Sequence, residues 1–486
     1  MLLPYPDVLF LEADTSTILT YSQAKNFEEI MSKNKLMDTL STINLFKNIS
    51  KKRIRMICSQ IKVEQYEDNQ VIFKEGDFGD KFFIVKSGSV SITINGKYIR
   101  TMNPKEYFGE KALLVHNTRT ATAIANGITE VYTLSKTDFL KDIETNMKNF
   151  LMDRQFLQDD TIELDDLVFI KELGKGNYGS VSLVSSKKNN YLYAIKAINI
   201  KQIIFEKMQK NLKLEKNILL QIDHPFIVKL VKCMKDSYNI YFLMEYLKGA
   251  DLFDVIREIG LLSKPQTQFY TASMMLAINY LHERKFIYRD IKPENIIIIK
   301  NGYLKLVDFG TAKAIEDRTS TIIGTPHYMA PEVILGEGYS FQVDYWSIGI
   351  CTYEFCCGGV PFGETNEDPM DIYISIIKDK LNFPVFCKDK EFKLLMKSML
   401  AKNPIKRMTK FEDIKNHSWF QDFGWDDILE FSINPPYKPI LINDKLSKGI
   451  NYTQYINQCI QKIDDAVDIQ LSENEAAQFE EWYKTF

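Results

Sequence analysis

Two runs constrain this chain more than any other feature: Tyr288-Arg289-Asp290-Ile291-Lys292-Pro293-Glu294-Asn295 and, after it, Val307-Asp308-Phe309-Gly310. Together they hold the residue types that phosphoryl transfer needs, a reaction that asks a protein for positioning and cancellation of charge rather than covalent chemistry. Asp290 can take the proton of an incoming hydroxyl, and Lys292, two residues on, can sit beside a transferring phosphate. Asn295 and Asp308 offer hard oxygen ligands suited to magnesium. The second run closes an apolar, strand-like stretch from Leu304 to Val307, which places Asp308 at a strand end. Two surface loops with incidental acids would have no reason to carry these residues in this order.

Composition limits the alternatives. A length of 486 residues predicts two or three domains. A net charge of -3 supplies no global basic field to recruit nucleic acid or anionic membrane, so no nucleic-acid partner is expected. The seven cysteines lack metal-ligand spacing, and Cys356-Cys357 are simply adjacent, which predicts a reduced, cytoplasmic protein. The five histidines are scattered and read as structural. No apolar run is long enough to span a bilayer, so no transmembrane segment is expected. Met1-Leu2-Leu3-Pro4 has neither the basic start of a signal peptide nor a myristoylation glycine.

Along the chain, Thr17 to Ser22 followed by Phe27 to Ile30 echoes Glu130 to Ser135 followed by Phe139 to Ile143, each an alternating strand running into a helix start. Residues 1–35 are therefore expected to be the end of a preceding unit of the same kind, or else a chance match. Short strands such as 71–73, 82–85 and 90–94 are punctuated by Glu75-Gly76-Asp77, Ser87-Gly88 and Asn95-Gly96, the last a two-residue hairpin signal. A helix is predicted over 51–61 ahead of them, and evenly spaced short strands suggest a barrel or jelly roll.

Gly109-Glu110-Lys111-Ala112 and, further on, Arg119-Thr120 carry chemistry. Gly109 and its small neighbour Ala112 let the backbone approach a ligand closely, and free amides opening a short helix attract an anion. Glu110 can accept from a ribose hydroxyl, and Arg119 can clamp a phosphate. This stretch resembles the phosphate-binding cassette of cyclic-nucleotide-binding domains, over roughly residues 40–160. In that family a hydroxyl residue at the place of Thr120 goes with cGMP and alanine with cAMP, because the hydroxyl can bond the guanine amino group. An ordinary strand threonine is the plainer reading. From Thr137 to about Asp160 the pattern turns helical, and Gln158-Asp159 resembles a pair that caps the bound base in some members of the family, or is a polar linker.

Leu173-Gly174-Lys175-Gly176-Asn177-Tyr178-Gly179-Ser180-Val181 lies between two strand-like runs. A lone G-x-G-x-x-G is weak evidence, but here a second strand follows where a dinucleotide fold would place a helix. Ala194-Ile195-Lys196 ends the next strand, so Lys196 can reach nucleotide phosphates, and Glu215, on a helix predicted over 203–221, is its natural partner. Taken with the runs around Asp290 and Asp308, these parts resemble the eukaryotic protein kinases, with Tyr288 where histidine is commoner. The resemblance implies a hinge at Glu245 and Leu247 whose backbone meets adenine, and Asp251 on the ribose or on a basic substrate residue. It further implies an activation segment with Thr321 as phosphosite facing Arg289 and Lys313, Thr325 against Asp290 and Lys292, and Glu332 paired with Arg407. Asp251, Glu294 and Glu354 match positions that read arginine before the phosphoacceptor. The terminal Tyr483-Lys484-Thr485-Phe486 resembles the hydrophobic motif of kinases regulated by cyclic nucleotides or lipids, against the alternative of an acidic disordered tail.

The order of parts resembles cGMP-dependent protein kinases. The fold expected is multidomain α+β: a β-jelly-roll cyclic-nucleotide-binding domain over 40–160, a bilobal kinase fold over 167–420, and a C-terminal tail over 421–486. The resemblance implies a serine/threonine kinase using ATP and Mg2+, activated by cGMP, acting on protein substrates with basic residues before the acceptor. A cAMP-gated kinase and a nucleotide-binding pseudokinase are the alternatives.

Overall fold

The computed structural model describes residues 2–5, 8–11, 34–41, 43, 46, 49, 51–109, 118–141, 145–157, 159, 161–176, 179–439, 450–461, 479–484 and 486. They form two compact units, one of residues 1–153 with 429–432, the other of 154–428 with 433–486. The division falls earlier than residue 160. Arg154 pairs with Asp223, and Leu157 and Ile162 are buried in the core of the second unit.

In the first unit β1 (Leu2–Tyr5) and β2 (Val8–Leu11) form an antiparallel hairpin. The expected strand and helix at 17–30 lie outside the described residues. The body is α1 (Lys51–Gln60), then β3 (Lys62–Tyr66), β4 (Val71–Phe73), β5 (Lys81–Ile94), β6 (Lys97–Met102), β7 (Tyr107–Phe108) and β8 (Thr122–Ser135), then α2 (Lys136–Lys141) and α3 (Thr145–Phe156), whose last three residues are counted with the second unit. All strand pairs are antiparallel, in the order β3-β8-β5-β6, with β4 on β8 and β7 on β5. Phe83, Val85, Val90, Ile92, Met102, Phe108, Ala123 and Val131 make its core. The alternation of apolar positions along β5 and β8 produces this one-sided burial.

Asn95 and Gly96 both have positive φ, 50° and 72°, as a tight two-residue hairpin requires. Ser87-Gly88 does not separate two strands. β5 runs through it with irregular register between Val85 and Ser89. Gly88 is left-handed at +78°, and a Cβ there would stand 2.6 Å from the Ile128 carbonyl oxygen, so the glycine marks a bulge pressed against β8.

The second unit begins with a five-stranded antiparallel sheet in the order β12-β13-β11-β10-β9, built from β9 (Leu167–Gly176), β10 (Gly179–Ser186), β11 (Leu192–Asn199), β12 (Leu230–Lys235) and β13 (Asn239–Glu245). The helix expected over 203–221 is two: α4 (Ile200–Phe205) and α5 (Gln209–Gln221), interrupted where Lys207 takes φ 54°. Asn199 caps α4 through its side chain, which accepts from Lys201 N–H.

The larger, mostly helical part carries β14 (Gly249–Asp251), α6 (Leu252–Ile259), α7 (Lys264–Glu283), β15 (Phe286–Ile287), β16 (Ile296–Ile299), β17 (Leu304–Leu306), β18 (Lys313–Ala314), α8 (Pro331–Ile334), α9 (Gln342–Cys357), α10 (Pro369–Lys378), α11 (Lys390–Met399), α12 (Phe411–Lys415) and α13 (Trp425–Leu429). Ser263 and Gln266 form a capping box at the start of α7, whose buried middle packs against α9. Gly358, left-handed at φ 88°, ends α9.

The described part of the tail is more regular than its weak periodicity predicts. α14 (Tyr452–Gln461) lies on the five-stranded sheet, with Tyr455 stacked on Phe169 at 3.7 Å between ring centroids and Tyr452 fully buried. Residues 479–484 are helical. The Phe486 ring stands 6.2 Å from Phe242 and beneath the Lys216 ammonium at 4.4 Å, and the Tyr483 hydroxyl donates to Asp236 O at 2.8 Å. The region around Asp464, where a ring over the nucleotide would fall, lies outside the described residues. Among the described residues no helix is long and apolar enough to cross a membrane.

Candidate active site and phosphate cradle

In the first unit Arg119 is buried, 7% exposed, and firmly held. Its Nη2 donates to Lys81 O at 2.9 Å, and its guanidinium lies over the Phe73 ring at 4.1 Å. Gly109 is left-handed at +76°, and a Cβ there would meet Arg119 Nη1 at 2.7 Å. The glycine is thus needed both for its backbone conformation and for the approach of the guanidinium. Thr120 is exposed. Glu110 and Ala112 lie outside the described residues, as does Gln158. Asp159 Oδ1 accepts from the backbone and hydroxyl of Thr161, at 3.1 and 2.6 Å.

In the second unit strand register assembles one end of a site. Gly174, Val181, Lys196 and Phe242 sit side by side across β9, β10, β11 and β13. Gly176 and Gly179 are register partners at the ends of β9 and β10; Asn177 and Tyr178 lie outside the described residues, and Lys175 is exposed. A Cβ at Gly179 would stand 2.0 Å from Ala197 O, so only glycine permits this pairing. Lys196 Nζ lies 3.0 Å from Glu215 Oε1 on α5. Burial works against the Lys196 charge, but Glu215 and Asp308 outweigh it, and its pKa lies above the ordinary lysine range. Glu245 ends β13, Leu247 follows half-buried, and Asp251 caps α6 by accepting from Asp254 N–H at 2.8 Å.

The runs around Asp290 and Asp308 reach this end of the site, where the Asp308 charge acts on Lys196. Asp290 Oδ1 accepts from the Thr325 hydroxyl at 2.7 Å, and its Oδ2 lies 3.0 Å from Lys292 Nζ and accepts from Asn295 Nδ2 at 2.8 Å. Lys292 Nζ donates in turn to Thr325 Oγ1 at 2.7 Å. The loop is braced by Asp344, fully buried, which accepts from the N–H groups of Tyr288 and Arg289 at 2.9 and 2.8 Å and stands 2.7 Å from His282 Nε2. Arg289 and Asp308 hold positive φ, 72° and 57°, strain of the kind that a surrounding network sustains at a working site.

Tyr288 explains itself where histidine is commoner. Its hydroxyl donates to the Val307 carbonyl, and its ring meets Phe309 edge-on at 5.2 Å, so it ties the two runs together. Thr321 is exposed, and its carbonyl accepts from the Tyr339 hydroxyl at 2.6 Å. Arg289 Nε donates to Thr311 O, and Lys313 Nζ donates to Thr319 Oγ1, so neither cation holds the Thr321 hydroxyl here. Glu332 receives both Nη atoms of Arg407, at 2.6 and 2.8 Å, a bidentate pair with almost no solvent exposure.

Two participants escape sequence reasoning. The Tyr328 hydroxyl donates to Glu354 Oε2 at 2.9 Å. Lys305 is buried against Glu245 at 2.5 Å; a lysine set inside the apolar run Leu304 to Val307 is the one signal that could have found it.

Asn295 and Asp308 present hard oxygens of the type that magnesium accepts when phosphates and water complete its shell. Among the described residues no group of three or more His, Cys, Asp or Glu side chains could hold a metal by itself. The arrangement can therefore orient a hydroxyl at Asp290, hold phosphates near Lys196 and Lys292, and accept a metal that is shared with a nucleotide.

Residues 167–420 match the protein kinase domain, and residues 63–146 match the cyclic nucleotide-binding domain. The chain is similar to a cGMP-dependent protein kinase of Plasmodium berghei (strain Anka), 42% identical over 417 residues, covering 85% of this chain and 49% of that protein. It is likewise similar to those of Toxoplasma gondii, 38% identical over 457 residues (93% and 45%), and Eimeria tenella, 39% over 420 residues (85% and 42%). The chain spans about half the length of these relatives or less. It belongs to the protein kinase family, with a cyclic-nucleotide-binding domain preceding its kinase domain.

Proposed function

We propose that the chain is a cGMP-activated serine/threonine protein kinase that transfers the terminal phosphate of ATP to protein substrates. The triangle of Asp290, Lys292 and Thr325 carries this reading. Asp290 is poised to receive the acceptor hydroxyl proton, and Lys292 stands where the transferring phosphate would pass. Thr325 holds both in one geometry, so that little reorganisation is left for the reaction itself. The intact Lys196–Glu215 pair supports an ATP site rather than a pseudokinase. Asn295 and Asp308 would hold magnesium, which when bound neutralises phosphate charge.

Activation by cGMP is supported by the names of the relatives and by Thr120 beside the buried Arg119. Glu110 and Ala112 complete the proposed cradle. A preference for basic residues before the acceptor rests on Asp251, Glu294 and Glu354, and the location proposed is cytoplasmic. The test is a phosphotransfer assay on a basic peptide with cGMP, cAMP or neither. Turnover that rises with cGMP at lower concentration than with cAMP is expected. Equal response to both nucleotides would replace cGMP by a general cyclic nucleotide, and no turnover under any condition would leave only the pseudokinase.

A further inference from the structure

Behind the nucleotide end of the site lies a buried ion pair that the chemistry above does not use. Lys305, in the middle of β17, brings its ammonium to 2.5 Å from Oε1 of Glu245, the last residue of β13. Their side chains are only 6% and 10% exposed. The same Oε1 accepts the Lys229 backbone N–H at 2.7 Å, while the Lys229 carbonyl accepts the Glu245 N–H at 3.0 Å. Lys305 Nζ also reaches the Ile227 carbonyl at 3.4 Å. The backbone of β17 is bonded to this stretch as well: Leu306 N–H donates to Phe226 O at 2.8 Å, and Val228 N–H to Leu306 O at 2.9 Å. Three segments thus converge on one carboxylate: the end of β13, residues 226–229, and the strand that runs into Asp308.

His224 is buried, its pKa pushed down to about 3 by burial and then by the Lys305 charge, and its Nδ1 accepts Phe226 N–H at 3.2 Å. Withdrawing two charges from water costs about as much as their attraction returns, so such a pair is a poor device for stability alone. What it supplies that an apolar pair would not is direction, because the ammonium fixes where the carboxylate of Glu245 must lie.

We propose that Lys305 is a positioning residue for nucleotide binding: through Glu245 it locks the backbone of 245–247 to β17. The segment that would face adenine and the strand that carries Asp308 are then held in one frame. This inference rests on the nucleotide-site reading given above.

Two variants of the full chain test it, Lys305→Met and the double Lys305→Met with Glu245→Gln. Binding of a magnesium-loaded, non-hydrolysable ATP analogue is measured by calorimetry, beside thermal unfolding and steady-state kinetics. The single variant strands a buried carboxylate, so it should lose both thermal stability and affinity. The double variant removes both charges, so its unfolding temperature should return close to that of wild type while its affinity for the analogue stays at least about fivefold weaker. Its KM for ATP should rise by more than its kcat falls. A double variant that recovers wild-type affinity along with stability would make the pair structural filling and overturn the proposal. A wild-type chain that fails to bind the analogue would instead defeat the nucleotide-site reading and this inference with it.

Discussion

Thr325 and Asp290 share a hydrogen bond of 2.7 Å, with the threonine hydroxyl donating to Oδ1 while it accepts from Lys292. Thr325 belongs to the segment after Phe309 and Asp290 to the loop before it, so this contact exists only when the activation segment has folded back onto the catalytic loop. A serine/threonine acceptor hydroxyl would have to enter beside the Thr325 hydroxyl, at the same Asp290 carboxylate.

Asp290→Ala and Asp308→Ala should each lower phosphotransfer at least ~10²-fold, as expected for loss of a positioned acid or metal ligand. Binding of cGMP should survive, because Arg119 and Gly109 lie in a separate unit. Turnover within tenfold of wild type, measured on a basic peptide at saturating cGMP, would refute the role assigned to either acid.

The runs around Asp290 and Asp308 stand out in the sequence because phosphate chemistry demands particular side chains at fixed spacing. The strand bearing Lys196 was legible because β11 is a short, nearly continuous apolar run that Lys196 interrupts. Other features depend on partners that no local pattern names. Lys305 follows the alternation of a strand with one wet face, yet its partner lies 60 residues away on another strand and the position is closed. Ser87-Gly88 has the composition of a turn, but Gly88 is required by the carbonyl of Ile128, which only the folded sheet brings near. The break at Lys207 is a left-handed residue of a type that rarely adopts that conformation, so composition gave no warning of it. The tail has little periodicity of its own because its rings pack on a sheet that the rest of the chain supplies.

Arg407→Ala should destabilise the kinase domain by about 3–5 kcal/mol, since it leaves the Glu332 carboxylate buried without its bidentate partner. Thermal unfolding followed by circular dichroism would reveal a clear drop in midpoint. An unchanged midpoint would mean that water reaches Glu332 despite its 2% side-chain exposure.

Thr120→Ala should narrow the preference for cGMP over cAMP by about two- to twelvefold, because one well-placed hydrogen bond is worth about 0.5–1.5 kcal/mol. Arg119→Ala should weaken both nucleotides together, since its guanidinium would serve the phosphate that they share. Fluorescent-nucleotide competition reads both effects. Unchanged selectivity in Thr120→Ala would return that residue to an ordinary strand threonine.

Phe486→Ala should reduce turnover without altering cGMP affinity. The ring touches Lys216, the neighbour of Glu215 on α5, and lies near Phe242, whose Cα is the register partner of Lys196. Removing it loosens the support of the Lys196–Glu215 pair from both sides. A turnover number equal to that of wild type would show that α5 keeps its place unaided.

Protonation of Glu354 should make the binding of a basic peptide pH-dependent. Burial raises its pKa, the Glu294 charge adds to this, and the hydrogen bond from Tyr328 opposes it, leaving the value at about 6. A substrate guanidinium prefers the carboxylate, so binding of a basic peptide must draw on the ionised form. Affinity should therefore strengthen as pH rises through about 6 and weaken below it. At pH 5.5 roughly a quarter of the free sites would be ionised, and KM for an arginine-containing peptide should be about fourfold higher than at neutral pH. The same peptide with norleucine in place of that arginine should show a flatter profile. In Glu354→Gln the high KM should persist at every pH, because the amide carries no charge to titrate. An arginine peptide whose KM stays level from pH 7.5 to 5.5, in an enzyme still folded at the lower pH, would remove Glu354 from substrate recognition.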